Sequence, residues 1–315
     1  MRRLSDLTLI VVSGKGGVGR TTVTAALARA AADAGKRVLI AASSPADRIG
    51  GLFGKPPVGA TITTVAPGID AVNITPEGAI HEYGLLTLRS ELVTRALFEN
   101  RAARAFLDAV PGMDAYALLG KAWWHTTEVA QGRPRYDLVL LDGPASGHAP
   151  LMLRIPDAIV AAMPKGPLSR DARSIQALLR DPARAAFLIV TLPEELPARE
   201  AIELAGAARE LGLPLAPLVV NALPSDEADD QALDPLLDHG SVRLPDLGNG
   251  DLTATLRLAA GARIHRRVAD QVVVDLRQRL GLPIVTLPRL LSPDLGPADV
   301  TDLARRLQAS WNSSS

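Results

Sequence analysis

The run Gly14-Lys15-Gly16-Gly17-Val18-Gly19-Arg20-Thr21-Thr22 combines the residue types that grip phosphate. Glycines at this density let successive backbone N–H groups turn toward one anion without Cβ clashes. A helix opening at Thr22 adds the positive end of its dipole to the same point. The apolar strand Thr8–Ser13 leads directly into the loop, which is the context a phosphate-binding loop requires. Thr21 is placed to put a hydroxyl on Mg²⁺. A second candidate begins at Tyr136-Asp-Leu-Val-Leu-Leu-Asp142, where an acid closes a buried strand. Such an acid suits a water-mediated Mg²⁺ contact. The turn that follows, Gly143-Pro144-Ala145-Ser146-Gly147-His148, suits a loop that senses a γ-phosphate. His148 itself reads as a satisfied structural histidine.

These residues need a scaffold that brings two strand ends together. Six short apolar runs read as strands: Thr8–Ser13, Arg37–Ala42, Tyr136–Asp142, Ala186–Leu192, Leu215–Asn221 and Ile284–Leu287. Most are continuous rather than alternating, as expected of a parallel sheet covered on both faces. Helical patterns separate them, including Thr22–Ala34 before Gly35, Ala198–Leu211 before Gly212, and Val300–Ser310. The alternation predicts an α/β fold with a doubly wound, mostly parallel sheet. The stretch 76–134 breaks that rhythm. It is helical in pattern, carries no strand signal and holds Trp123 and Trp124. The chain therefore divides into a core, 1–75 with 135–315, and an inserted helical subdomain, 76–134. The two tryptophans read first as packing for the insert and second as a client surface. Ser225–Asp238 reads as a solvated connection, and Asn312–Ser315 as a frayed end.

Composition narrows the chemistry. The 34 basic and 34 acidic residues cancel, which gives no support to a general nucleic-acid binder. With no cysteine, disulfides, thiol catalysis, zinc-thiolate sites and iron–sulfur ligation are all excluded. No apolar run reaches the roughly 18 residues of a membrane span, and no targeting signal is evident, so the expected location is cytoplasmic.

With these motifs in place, the chain resembles the ArsA-type ATPases, which include the arsenite-pump ATPase and the ATPase that targets tail-anchored membrane proteins. Gly14–Thr22 is similar to their Gly-Lys-Gly-Gly-Val-Gly-Lys-Thr-Thr loop, with Arg20 for the second lysine. Asp142–His148 is similar to their switch II. Thr191-Leu192-Pro193-Glu194-Glu195, Val219-Val220-Asn221 and Pro111-Gly112-Met113-Asp114 resemble further stretches in the right order. The early lysine is the mark of the deviant Walker A class. The resemblance implies a dimer that binds ATP or ADP with Mg²⁺. It implies that Gly16, Gly17, Val18, Gly19, Arg20 and Thr22 line phosphate, and that Thr21 and Asp142 hold the metal directly and through water. It also implies that Lys15 acts on the partner's nucleotide and that Asn221 faces adenine.

Departures from the family pattern bear on activity. Switch I of the family reads Ser-Thr-Asp-Pro-Ala-His-Ser; here Ala42-Ser43-Ser44-Pro45-Ala46-Asp47-Arg48 occupies the place. Ser44 replaces the acid that positions the attacking water. Asp47 could compensate only if the loop shifts. The cysteines that bind arsenite, and those that clip the targeting dimer with zinc, are missing. The leading expectation is a single-unit, dimeric ATP- and ADP-binding protein with slow hydrolysis. A non-hydrolysing subunit paired with an intact homologue is the alternative. A ParA- or MinD-type positioning ATPase is a third reading, disfavoured by the histidine ending switch II. Only four methionines are present, which argues against a broad Met-lined client groove. The client stays unidentified.

Overall fold

Long apolar runs with both faces to bury form a central sheet between two helical layers. The structure, a computed structural model, describes residues 7–44, 46–75, 77–79, 82, 113–224, 237–238, 241–242, 250–292 and 294–313. The elements in chain order are β1 (Leu9–Gly14), α1 (Arg20–Asp33), β2 (Val38–Ala42), α2 (Ile49–Leu52), β3 (Thr63–Ala66), β4 (Ile69–Asn73), α3 (Met113–Thr127), β5 (Val129–Ala130), β6 (Arg133–Pro134), β7 (Leu138–Ala145), α4 (Ala149–Ala162), α5 (Pro167–Arg180), β8 (Ala185–Thr191), α6 (Glu195–Glu210), β9 (Leu218–Leu223), β10 (Leu237–Asp238), β11 (Ser241–Val242), α7 (Gly250–Leu280), β12 (Ile284–Pro288) and α8 (Pro297–Ser313).

Eight strands form one sheet in the order β12-β9-β8-β1-β7-β2-β4-β3. Every neighbouring pair is parallel except β3 with β4. Side chains alternate faces along each strand. Ile10, Val12, Val38 and Ile40 pack with α1, α2 and α8 on one face, whereas Leu9, Val11, Leu39 and Ala41 pack with α3 to α7 on the other. The doubly wound α/β architecture read from the sequence is thus the one observed. From β1 the chain crosses to β2 on one side and, after β7, to β8 on the other. This reversal opens a crevice at the carboxyl ends of β1, β7 and β8, where open α/β sheets take ligands.

All six expected strands are present, with shifted ends. The strand read as closing at Asp142 runs on to Ala145, because Gly14 pairs with Ala145 beyond a bulge in β7, where Gly143 and Pro144 oppose Ser13. The strand read from Leu215 begins at Leu218: Pro217 has no N–H to donate, and Leu215 makes only an isolated bridge to Phe187. Helix α1 starts two residues earlier than read, which puts Arg20 and Thr21 in its first turn. Two strands of the central sheet, β3 and β4, went unread, as did the two-residue strands β5, β6, β10 and β11. Edge strand β3 exposes Thr63 and Thr64 and turns at Pro67-Gly68 into β4. Strand signal is also present inside 76–134, as the two-residue hairpin of β5 and β6.

Most of the segment 76–134 before Met113 lies outside the described residues, as do Pro111, Gly112 and 225–236. Helix α3 packs with Tyr116, Leu118, Leu119 and Ala122 buried against the α4 face, and Trp123 is half-buried there. His125 is 2% exposed at the end of α3. Its Nδ1 lies 2.7 Å from Glu128 Oε2, and its ring stands edge-on to Tyr136. Burial lowers its pKa, with Glu128 opposing the shift.

Candidate functional site

Glycine geometry shapes the loop after β1. A Cβ on Gly14 would meet Val190 O at 2.1 Å, so the loop leaves the sheet pressed against β8. Gly19 caps α1 in the left-handed region, with φ +88°. A Cβ there would lie 2.3 Å from Asn221 Nδ2. No side chain caps α1, so its first-turn N–H groups face outward for an external acceptor. Val18 is buried in the core, so only its main chain faces the loop interior.

Thr21 and Asp142, 121 positions apart, meet directly: Thr21 Oγ1 donates to Asp142 Oδ2 at 2.6 Å. Asp142 is 7% exposed. Burial pushes its carboxyl above the ordinary range, while the Thr21 hydroxyl and the nearby Arg20 charge pull it down. One hydroxyl is thin compensation for a buried carboxylate. The hydroxyl–carboxylate pair beside uncapped N–H groups is the oxygen donor set a hard divalent cation and a phosphate would use. The residues therefore fit the implied Mg²⁺-nucleotide.

Arg20 does not extend freely over this space. Its Nη1 donates to the Gly143 carbonyl, and burial lowers its pKa; a guanidinium keeps its charge even so. Ser13 Oγ donates to Pro144 O at 2.9 Å, and Ser146 N to Gly14 O at 3.0 Å. These bonds zip the end of β7 and the residue that follows it onto the end of β1. Lys15 Nζ donates to Glu200 Oε1 at 2.5 Å, and Ser146 Oγ to Glu200 Oε2 at 2.7 Å. Asn221 reaches the same loop from β9, with Nδ2 donating to Val18 O at 2.9 Å. His148 is exposed at the start of α4 and caps nothing with its side chain. It is not the satisfied histidine read from the sequence; His125 is the buried one.

The segment after β2 is arranged differently. Asn73, at the end of β4, pairs both ways with Ser44: Ser44 N donates to Asn73 Oδ1, and Asn73 Nδ2 donates to Ser44 O, each at 2.9 Å. Asp47 has φ +38° and accepts from Gly59 N at 2.7 Å through Oδ2. One carboxylate oxygen thus holds the backbone of the 54–62 segment, while Oδ1 is buried without a hydrogen-bond partner among the described residues. Ser44 and Asp47 belong to this clasp, while Lys15, Arg20, Thr21, Asp142 and Asn221 gather around the loop after β1.

Sequence reasoning missed Glu200 and Asn73. Glu200 is 185 positions from Lys15, and nothing in the helical pattern of α6 separates it from Glu203 on the same helix. Asn73 closes a strand that was itself unread.

The chain matches the family described as anion-transporting ATPase over residues 7–167. It is 29% identical to the ATPase BagA of Mycobacterium tuberculosis over 304 residues, covering 90% of this chain and 89% of that one. It is 29% identical to an arsenical pump-driving ATPase of Escherichia coli over 251 residues, covering 70% of this chain and 40% of that protein. An ASNA1-homologous ATPase of Paramecium tetraurelia is 27% identical over 161 residues, half of this chain and 46% of the other.

Proposed function

The chain belongs to the anion-transporting, ArsA-type ATPase family, and from that membership we propose that it binds ATP or ADP with Mg²⁺ and hydrolyses ATP slowly. The observation that carries the reading is the contact of Thr21 with Asp142 beneath the uncapped start of α1. On this reading the N–H groups of Gly16, Gly17, Val18, Gly19, Arg20 and Thr22 bind the phosphates. Thr21 offers its hydroxyl to the metal, and Asp142 holds a metal-bound water. Asn221 braces the loop beside the adenine position. Bound Mg²⁺ supplies charge neutralisation at the phosphate oxygens.

Slow hydrolysis follows from two positions. Arg20 is longer and flatter than lysine, and its guanidinium is already engaged with Gly143 O. Ser44 brings no carboxylate to the water-positioning place, and Asp47 is held by Gly59. General-base help is typically worth about 10²–10⁴-fold. The same two positions favour a second reading, a non-hydrolysing subunit paired with an intact homologue. In either case a dimer is the form in which Lys15 acts across subunits, and 76–134 is the helical insert. Soft trivalent arsenic needs thiolates, and the 315 residues contain none, so arsenite is not proposed as a ligand. Among the described residues no helix is long and apolar enough to cross a membrane.

Calorimetric titration with ADP and a non-hydrolysable ATP analogue, with and without Mg²⁺, tests binding. Phosphate release alone and with a homologous partner separates the two readings. Brisk Mg²⁺-dependent turnover by the isolated protein would overturn slow hydrolysis. Failure to bind any nucleotide would overturn the site.

A further inference from the structure

Lys15 stands in the phosphate loop, yet its charge is answered from elsewhere. Glu200, in the second turn of α6, holds the ammonium through Oε1 at 2.5 Å and the Ser146 hydroxyl through Oε2 at 2.7 Å. One carboxylate thereby ties the loop after β1 to the loop after β7. The two donors hold the Glu200 carboxyl below its ordinary range, the Lys15 contact most strongly. Neither partner of the ion pair is buried: their side chains are 30% and 27% exposed. Ser146 keeps its separate main-chain bond to Gly14 O, so losing Glu200 frees its hydroxyl without freeing the loop.

We propose that Glu200 is a positioning residue that parks Lys15 within its own subunit and links it to Ser146, and that nucleotide phosphate competes with this carboxylate for the lysine. The proposal rests on the nucleotide-site reading above and adds a resting state to it. A half-exposed pair of this kind shifts an equilibrium by at most about fivefold, so it is weak enough to be exchanged. A phosphate chain presents more negative charge, and the ammonium is a compact donor on a flexible stem that can swing between acceptors. When Lys15 leaves, Glu200 loses its counter-charge and Ser146 its shared acceptor geometry. Occupancy of the phosphate loop is then felt both by the loop after β7 and by α6.

Glu200→Gln tests this on the intact chain, because glutamine keeps the shape and an acceptor oxygen while removing the charge. The first readout needs no nucleotide. Amine acylation followed by peptide mass spectrometry reads each of the five lysines separately. Lys15 is expected to label about twofold or more faster in Glu200→Gln, with Lys36 and Lys165 unchanged as references. The second readout is MgADP affinity. Glu200→Gln is expected to bind about two- to fivefold more tightly than the native protein, and the same substitution in a Lys15→Ala background is expected to change nothing. Unchanged Lys15 labelling, weaker MgADP binding, or an equal gain in the Lys15→Ala background would each overturn the proposal. Absence of MgADP binding in the native protein would instead fall on the nucleotide-site reading, and the labelling result would still decide whether Glu200 holds Lys15.

Discussion

The seams β1–β7 and β2–β4 reach the same edge of the sheet and use polar residues in opposite ways. Along β1–β7, several side chains bond to other side chains: Thr21 to Asp142, Lys15 to Glu200, Ser146 to Glu200. Along β2–β4 they bond to backbone: Asn73 to both groups of Ser44, Asp47 to Gly59 N. The Asn73 N–H in turn donates to Gly59 O at 2.8 Å. A hydroxyl or ammonium held by a carboxylate can exchange that partner for a ligand oxygen at little structural cost. An amide clasped to a main chain gives up fold stability if it lets go. The first seam is therefore equipped to respond to a ligand, and the second to hold a loop still. This is the division expected on the proposed reading, in which the site binds nucleotide and Ser44 stands in the place of a water-positioning acid.

The largest expected effect lies in the first seam. Asp142→Asn should weaken Mg²⁺-nucleotide affinity by about tenfold or more, the worth of a hydrogen bond or contact to a charged group, and should flatten its dependence on Mg²⁺ in calorimetry. The free protein should respond in the opposite sense. Burial raises the folded-state pKa of Asp142. The stability this gives is fully present below the ordinary aspartate pKa and is lost as pH rises through the raised value. An asparagine escapes that loss. The ligand-free variant should therefore melt above the native protein at neutral pH, with the gap closing as the pH is lowered. Equal nucleotide affinity in both proteins would break the comparison at its stronger side.

Next in size is turnover. Arg20→Lys alone should recover little hydrolysis, because Ser44 still lacks a carboxylate. Arg20→Lys with Ser44→Asp should exceed either single change, by about 10²-fold over native if the restored acid acts as a water-positioning base. Phosphate release under saturating Mg²⁺-ATP checks the order. If Ser44→Asp alone gave the full gain, Arg20 would not be the obstacle that its bond to Gly143 O suggests.

What was legible in the sequence was local or periodic. Gly14–Thr22 carries its meaning within nine consecutive residues, and the buried strands announce themselves by continuous apolar character. Asp142 was readable because it follows such a run. Its bond to Thr21 was expected only as a shared metal. The missed features have weak or distant signals. Thr63-Thr64-Val65-Ala66 buries one residue fully, so an edge strand there lacks the apolar run that marks the others. Asn73 matters through a partner 29 positions away, and Glu200 through one 185 positions away. Side-chain pairing over such separations is set by how strands order in the sheet, which neither composition nor period encodes. His148 was misjudged for a related reason: a histidine beside a functional turn looks the same in sequence whether it is buried or exposed.

A smaller effect is expected in the second seam. Asn73→Ala removes two hydrogen bonds to Ser44 and should cost about 1–3 kcal/mol, which a thermal melt reads as a drop of several degrees. Mg²⁺ dependence of nucleotide binding should survive, since no atom of Asn73 touches the phosphate loop in the contacts described. A lost Mg²⁺ response would mean that the clasp also shapes the nucleotide site.

The smallest effect tests whether distance from the carboxyl edge matters at all. Arg37 and Asp137 precede β2 and β7, the strands that lead into the two seams, but at the opposite end of the sheet. Arg37 Nη2 donates to Asp137 Oδ1 at 2.7 Å and Nε to Oδ2 at 3.0 Å, while Arg37 N donates to Oδ2 at 2.9 Å. The Arg37 side chain, above all, holds the Asp137 carboxyl below its ordinary range. The sign is therefore the reverse of that at Asp142: the stability is present above the ordinary aspartate pKa and is lost as pH falls through the lowered folded value. The pair is exposed and screened by salt. Asp137→Asn should lower the melting temperature slightly at neutral pH, less in high salt and not at all at strongly acid pH, and should leave Mg²⁺-nucleotide affinity unchanged. Asp137 and Asp142 lie five positions apart around one strand, so the two substitutions perturb the same element. If Asp137→Asn also weakened nucleotide binding, the loss at Asp142 would reflect a loosened β7 rather than a ligand lost from the site.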